Sequence, residues 1–163
     1  MGTYKLILDD DFKEEFSLIA IHCSEEPFRL AYLLNQFVEL RLMSRRVDLD
    51  FSKDGLEITF PLYDFEDEMK YTSYNLVANR CKSHVAKMAS SGSLFGNITN
   101  EETITTYVIP EYKQVDYFLK IQSDFNSVGL KTTISKINEI KQVISAYEID
   151  VEKLKSKNNL IFD

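Results

Sequence analysis

The chain has 163 residues, of which 44% are hydrophobic and 12% aromatic, with only five glycines and three prolines. This composition predicts one globular domain over residues 1–163 and excludes an intrinsically disordered chain. The net charge of -7 argues against binding to a nucleic-acid backbone, because that affinity comes from clustered lysine and arginine.

No stretch of the chain has the pattern of a targeting or membrane segment. The N-terminus lacks the apolar region of a signal peptide, and no run approaches the roughly 20 apolar residues that a membrane span needs. We therefore expect a cytoplasmic protein without a membrane span. In that compartment Cys23 and Cys81 should be reduced thiols.

Two strands and a helix are predicted in the N-terminal part of the chain. Residues 4–8 and 16–21 are β-rich and are separated by an acidic connection, which indicates an antiparallel pair. The second run is apolar and should be covered on both faces. Ser24 is the expected N-cap of a helix that runs from about residue 25 to residue 43 and carries Pro27 in its first turn. Its core-facing stripe consists of Leu30, Leu33, Leu34, Phe37, Val38 and Leu40.

A hairpin is predicted next. Residues 47–51 and 56–63 alternate on either side of Asp54-Gly55, a dipeptide that favours a tight turn. Pro61 places the second strand towards an edge or gives it a bulge, because proline has no N–H to donate to the ladder. The acidic residues 64–68 are expected to form a connection.

The pattern of the middle of the chain is weaker. Residues 74–79 are typical of another strand. Residues 80–102 give no clear periodicity, and within them Ser90–Gly96 is the best candidate for a mobile loop.

The run from Thr106 to Ile121 is the most densely patterned part of the chain. A short β-rich run, residues 107–109, ends at Pro110. A strand over residues 115–121 follows, in which alternation places two sets of side chains on opposite faces. The first set is Val115, Tyr117, Leu119 and Ile121, and the second is Asp116, Phe118 and Lys120.

The C-terminal part predicts a β-α-β unit whose first arm is the strand over residues 115–121. We expect a helix over about residues 127–140 and then a strand, Val143–Ile149, in preference to one long helix, because β-branched and aromatic residues cluster in that strand. Asp150 should cap a short helix, and the apolar tail Leu160–Phe162 must dock on the core.

These elements predict an α+β fold. It consists of a mainly antiparallel sheet of about six to eight strands, two principal helices packed on it, and the C-terminal β-α-β unit.

Two carboxylates are the strongest candidates for a ligand site. Glu111 and Asp116 flank the turn before the strand over residues 115–121, and paired carboxylates act as acid and base when their environments separate their pKa values. With Tyr117 they form the candidate ligand-binding set. The structural alternative is that Glu111 caps the turn and that Asp116 pairs with a cation or with a backbone N–H.

No catalytic residue, cofactor or metal site is predicted. The chain lacks the GxGxxG, P-loop and GxSxG motifs. His22-Cys23 and Cys81-Lys-Ser-His84 contain all its cysteines and histidines, but neighbours on a strand point to opposite faces and only one pair has zinc-finger spacing.

The run Ile109-Pro-Glu-Tyr-Lys-Gln-Val-Asp-Tyr117 resembles, residue for residue, the defining motif of the bacterial IPExxxVDY family. The ending Leu154–Phe162 looks like the one that such proteins share, so the resemblance covers the whole chain. It implies a bacterial protein and transfers no catalytic or binding residue. Association of family members with ribonuclease III and fatty-acid synthesis genes implies an RNA-related alternative, which would need a positive groove on this acidic chain.

The leading hypothesis from the sequence is a noncatalytic protein-binding or scaffold module, with a protein partner or a second copy of the chain. The alternative is a small-molecule sensor or an enzyme with a site near the turn Ile109–Tyr117. Abundant tyrosine and phenylalanine, together with the lack of a catalytic constellation, favour the first.

Overall fold

An antiparallel sheet, assembled from strands that lie far apart in the sequence, forms the centre of the computed structural model. The structure describes residues 15–45, 49–53, 56–87, 100–124 and 129–162. The predicted run at residues 4–8 and the predicted loop Ser90–Gly96 lie outside them. The two helices and ten strands of the described ranges are, in chain order, β1 Ser17–Cys23, α1 Pro27–Val38, β2 Met43–Ser44, β3 Leu49–Lys53, β4 Leu56–Phe60, β5 Leu62–Asp67, β6 Thr72–Ala78, β7 Arg80–Lys87, β8 Asn100–Tyr107, β9 Tyr117–Ser123, α2 Leu130–Asn138 and β10 Val143–Ile149.

Six of these strands form the central sheet in the order β10-β1-β9-β6-β5-β2, and every neighbouring pair is antiparallel. Both edges of β1 are therefore occupied, by β9 and β10. Since β9 and β10 each run antiparallel to β1, they run parallel to one another with β1 between them. The α+β fold and the predicted β-α-β unit, β9-α2-β10, are confirmed, and the single long helix is not.

The two helices cover one face of the sheet. Alternation along β1 directs Ile19 and Ile21 towards the helices and directs Leu18 and Ala20 to the opposite face, and all four side chains are fully buried. The prediction that this strand is covered on both faces is confirmed. The helix-covered core includes Leu30, Leu34, Tyr74, Leu76, Tyr117, Leu119, Ile121, Ile137 and Ile140.

The other face of the sheet is covered by chain segments that are mostly not helical. Strand β4 of the predicted hairpin contributes Ile58 and Phe60. The connection before β9 and the C-terminal turns supply the remaining apolar residues, which are Val108, Ile109, Val115, Leu154 and Leu160. Val115 thus packs on the same side as Phe118, and the prediction that it shares a face with Tyr117 is wrong, because β9 begins only at Tyr117.

Helix α1 is shorter than predicted. It begins after Glu26 with Pro27 in its first turn, as expected for proline, but neither Ser24 nor the side chain of Glu26 caps it. It ends at Val38 because Glu39 adopts a left-handed conformation with φ of 62°. The predicted extension to residue 43 is therefore wrong. Phe37, at this end of the helix, is 47% exposed and not in the core as predicted.

Two predicted irregular regions contain strands. Residues 64–68, expected to form a connection, lie largely within β5, which pairs with β6. The weakly patterned region after residue 79 provides β7 and β8, which form a separate antiparallel hairpin. In both regions cross-strand pairing outweighs the polar composition of the local sequence.

Neither helix in the described ranges is long and apolar enough to cross a lipid bilayer.

Candidate functional site

The segment between β8 and β9 folds as two consecutive tight turns. Pro110 begins a short 3-10 turn, Pro110–Tyr112, at a position where its missing N–H removes no bond. The N–H of Tyr112 donates to the carbonyl of Ile109 at 3.1 Å, and the N–H of Val115 donates to the carbonyl of Tyr112 at 3.0 Å. Val108, Ile109 and Val115 are buried, so the turns are anchored to the core on both sides.

Asn79, the residue that links β6 to β7, holds these turns in place. Its side-chain Nδ2 donates to the carbonyls of Tyr112, at 2.8 Å, and Val115, at 3.0 Å. Its Oδ1 accepts from the N–H of Ile109 at 2.9 Å. Asn79 is fully buried, and an amide of this kind satisfies backbone groups that burial would otherwise leave without partners. The sequence places Asn79 at a strand end and gives no sign of this role.

The backbone of Asn79 extends the same network. Its N–H donates to the carbonyl of Asp116 and its carbonyl accepts from the N–H of Val108, both at 2.8 Å. One residue therefore connects both ends of the segment from Val108 to Asp116. The function of this asparagine is to position the turn.

Asp116 joins three parts of the fold. One carboxylate oxygen accepts from the backbone N–H of Cys23 at 3.0 Å, where β1 ends. The other lies 3.0 Å from Nη2 of Arg80, where β7 begins. The structural alternative anticipated for this residue, pairing with a cation or a backbone N–H, is thus present in both forms.

Tyr117 is buried beneath the start of α1. Its hydroxyl donates to the carbonyl of Glu25, one of the residues that precede the helix. Burial is the main cause that raises the pKa of Tyr117 well above its ordinary value, and the acidic groups around it add to the effect. The phenol therefore stays protonated at physiological pH and serves as a donor.

Glu111 is exposed and binds the C-terminal part of the chain. Its carboxylate accepts from both the backbone N–H and the hydroxyl of Ser156, each at 2.8 Å. Slight burial acts to raise the pKa of Glu111, but hydrogen bonds from its own backbone and from Ser156 outweigh it and lower the pKa.

The three predicted ligand-binding residues thus contact three different regions. Glu111 faces Ser156, Asp116 faces Cys23 and Arg80, and Tyr117 packs under α1. None of them lines the cavity beside the C-terminal segment or the larger cavity between the ends of the two helices. Each makes a contact that positions a neighbouring segment.

The thiol of Cys23 and the imidazole of His22, neighbours on β1, contact different residues. The buried thiol of Cys23 donates to the carbonyl of Gln142 at 3.4 Å, and burial raises its pKa. His22 stacks on Tyr147, with Nε2 at 3.0 Å from the phenol oxygen. Within the described ranges, no three His, Cys, Asp or Glu side chains are arranged to hold a metal ion.

A buried lysine, Lys120 of β9, fixes the end of the chain. It is 4% exposed, and its ammonium donates to the carbonyl of Leu160 at 2.9 Å. The ammonium also lies 4.7 Å from the ring centroid of Phe16 and 5.4 Å from that of Phe162, which is cation–π geometry. The predicted docking of the tail is confirmed. A cavity of about 190 Å³ lies beside it.

Comparisons of this chain with protein-family models, with curated proteins and with solved structures found no match, so the resemblance of Ile109–Tyr117 to the IPExxxVDY family stays a prediction.

Proposed function

We propose that the protein is a noncatalytic binding module that docks a partner protein on the outward face of α1. The observation that carries this proposal is a pair of aromatic residues. Phe28 and Tyr32 are 65% and 62% exposed. They are four positions apart in α1, so they lie side by side on one face of the helix.

Exposed aromatic side chains are the usual anchors of protein interfaces. Aromatic residues dominate the residues whose truncation weakens binding most, because a rigid ring buries a large area at little entropic cost. Next to this pair, Arg29 and Glu25 form an ion pair with an N–O distance of 3.0 Å. An apolar centre beside exposed polar groups is the ordinary anatomy of a protein-binding surface.

The charge of the chain favours a basic partner over a second copy. Two molecules that each carry a net charge of -7 repel one another at long range, whereas a basic partner is attracted. Glu26 lies beside the aromatic pair and adds negative charge locally, whereas the charge of Glu25 is balanced by Arg29. The proposed partner is therefore a protein segment with apolar anchors and flanking lysine or arginine.

The turn at Ile109–Tyr117 supports a binding module without catalysis. Its polar side chains make structural hydrogen bonds, with Asp116 bound to Cys23 and Arg80 and with Glu111 bound to Ser156. Asn79 commits both of its side-chain polar atoms to the backbone of the same turn. The motif is thus accounted for as the part of the fold that orders the sheet.

Affinity capture with paired baits tests the proposal. Three baits are used on an extract of the organism that naturally makes the protein. They are the wild-type chain, the double variant Phe28→Ser/Tyr32→Ser and the control Ile144→Ser. Ile144 is 77% exposed on β10, so it controls for the loss of any exposed apolar residue. A basic protein recovered by the wild type and by Ile144→Ser, but not by the double variant, is expected.

Calorimetry with the purified partner then gives the size of the effect. Loss of two aromatic anchors should weaken binding at least about tenfold, and rising salt should weaken the wild-type interaction further. Equal recovery by all three baits would contradict the proposal. So would a dimer, seen by sedimentation, that the double variant abolishes, because that result would assign the face to a second copy.

A further inference from the structure

A second site, distinct from the face of α1, lies at the other end of the helix layer. A cavity of about 580 Å³, open to solvent on one side, is lined by the end of α1, the turn between β5 and β6, and α2. Its volume falls within the range of small-molecule sites. Met69 and Tyr71, on the turn, line it and are 92% and 61% exposed, so they form its rim.

Two backbone outliers line this cavity. Glu39 and Tyr71 have φ of 62° and 47°, and they are the non-glycine residues with positive φ in the described ranges. A residue with a side chain is strained in that conformation, and glycine would not be. Folding alone would favour glycine at both positions. Both residues line the cavity, and strained backbone conformations cluster at binding sites.

The floor of the cavity is aromatic. Phe65 and Tyr74 stack with ring centroids 5.7 Å apart and an interplanar angle of 15°, and both line the cavity. Val38 and Leu40 add aliphatic surface. With Tyr71 at the rim, this lining suits a flat or ring-shaped group.

The remainder of the lining is polar but uncharged in total. Lys136 pairs with Glu39 at 3.4 Å and Lys70 pairs with Asp67 at 3.7 Å, so the two lysines and two acids of the lining balance. Thr132 and Thr133 on α2 add hydroxyl groups, whereas the buried Thr72 hydroxyl is bonded to the Lys70 carbonyl at 2.9 Å and to the Ser123 hydroxyl at 3.1 Å. A balanced set of ion pairs and hydroxyl groups suits a neutral ligand that donates and accepts hydrogen bonds.

We propose that this cavity binds an uncharged, ring-bearing small molecule with several hydroxyl groups, of the nucleoside or glycoside class. The ring packs against Tyr71 and the Phe65–Tyr74 pair. The hydroxyl groups of the ligand form hydrogen bonds with Thr132 and Thr133 and with the two ion pairs, Lys136–Glu39 and Lys70–Asp67. The site is independent of the partner surface on α1, so either can fail without the other.

NMR titration of the uniformly ¹⁵N-labelled protein tests this proposal. The probes are adenosine, uridine and phenyl β-glucoside at millimolar concentration, with inorganic phosphate as an anionic probe. We expect one of the two neutral classes to shift the amide signals of residues 67–72 and 129–136, and the probe that does so identifies the class. Shifts caused only by phosphate, or shifts confined to other residues, would overturn the proposal.

The variant Tyr71→Gly separates binding from folding. Glycine adopts positive φ without strain, so the fold is preserved while the ring is removed. Binding of the neutral probe should weaken at least about fivefold, which is the loss expected from about 1 kcal/mol of ring stacking. Ile144→Ala, which removes a highly exposed side chain outside both the cavity and the face of α1, should leave it unchanged. Equal affinity of Tyr71→Gly and wild type would also overturn the proposal.

Discussion

Asn138 of α2 bonds to both backbone groups of Ala146 in the edge strand β10. Its Nδ2 donates to the Ala146 carbonyl at 2.9 Å, and its Oδ1 accepts from the Ala146 N–H at 2.8 Å. Asn35 of α1 makes the same pair of bonds to Leu42, at 3.0 and 2.8 Å, just before the opposite edge strand β2. Each helix thus supplies a side-chain amide that makes the hydrogen bonds a neighbouring strand would make. This matters because exposed strand edges can pair with strands of other chains.

The substitution Asn138→Ala should leave the N–H and carbonyl of Ala146, in the middle of the edge strand β10, without their partners. We expect a loss of about 1 kcal/mol or more in the free energy of unfolding and concentration-dependent self-association through that edge. Sedimentation velocity measures the association. Asn158→Ala, at an exposed position, is the matched control, and a variant of Asn138 that stays monomeric at high concentration would show that the amide does not guard the edge.

Asn79→Ala should destabilise the protein more than Asn138→Ala does. It leaves the N–H of Ile109 and the carbonyls of Tyr112 and Val115 without their partner. Unsatisfied buried groups cost about 1–3 kcal/mol each, so we expect a loss of at least about 3 kcal/mol. Urea unfolding measures this loss.

The control for this substitution is Asn159→Ala, which removes a single bond, from Nδ2 to the carbonyl of Val108 at 2.8 Å. A loss of about 1 kcal/mol is expected there. Equal losses for the two variants would mean that the turn is held by its apolar residues and not by Asn79.

The contribution of Glu111 should depend on pH. Its folded pKa is lower than the ordinary value of 4.5, so its stabilising effect is present above that value and is lost as the pH falls through the folded pKa. We compare unfolding of the wild type and Glu111→Gln from about pH 8 to about pH 3. The wild type should be more stable by no more than about 1 kcal/mol at neutral pH, because the group is exposed. A difference that persists at the acidic end would rule out the carboxylate as its origin.

Lys120→Met should loosen the C-terminal segment. The variant keeps the length of the side chain but removes the bond to the Leu160 carbonyl and the cation–π contacts with Phe16 and Phe162. We expect faster amide hydrogen exchange over residues 156–162 and a loss of about 1–3 kcal/mol in stability. Lys157→Met removes a cation from the Phe16 ring, at 5.5 Å, but keeps the carbonyl bond, so it should change exchange much less.

Alkylation should distinguish the two cysteines. Burial raises the pKa of Cys23, which is 1% exposed, whereas Cys81 is half-buried. Iodoacetamide should therefore modify Cys81 first in the folded protein, with Cys23 reacting only as the fold opens. Mass spectrometry of the digested protein measures both rates, and in urea they should converge. Equal rates in the folded state would contradict the burial of Cys23.

The strands with regular alternation or continuous apolar runs could be predicted from the sequence. Phe16 to Ile21 and Val143 to Ile149 have local patterns that the fold keeps, because their burial and their β-propensity agree. The end of α1 could not be predicted, since glutamate does not favour the left-handed conformation that Glu39 adopts, and since Asn35 bonds to Leu42 beyond that turn. That contact forms only when the chain has turned back.

The candidate site likewise has features that the local sequence predicts and features that depend on distant residues. Proline at the start of the turn and a strand after it follow from local rules, and both are present. Asn79, Ser156 and Lys120 act through partners that lie far along the chain, so no local pattern reveals them. Strands β7 and β8 are polar and form through pairing with each other.

The position of β1 between β9 and β10 has a consequence for synthesis of the protein. Residues 17–23 leave the ribosome well before their partners, residues 117–123 and 143–149. The apolar β1 must therefore remain without its sheet partners until those later strands have been made. Contacts at such long sequence separation make folding slow, and a nascent chain with an exposed apolar strand is the kind of client that chaperones bind.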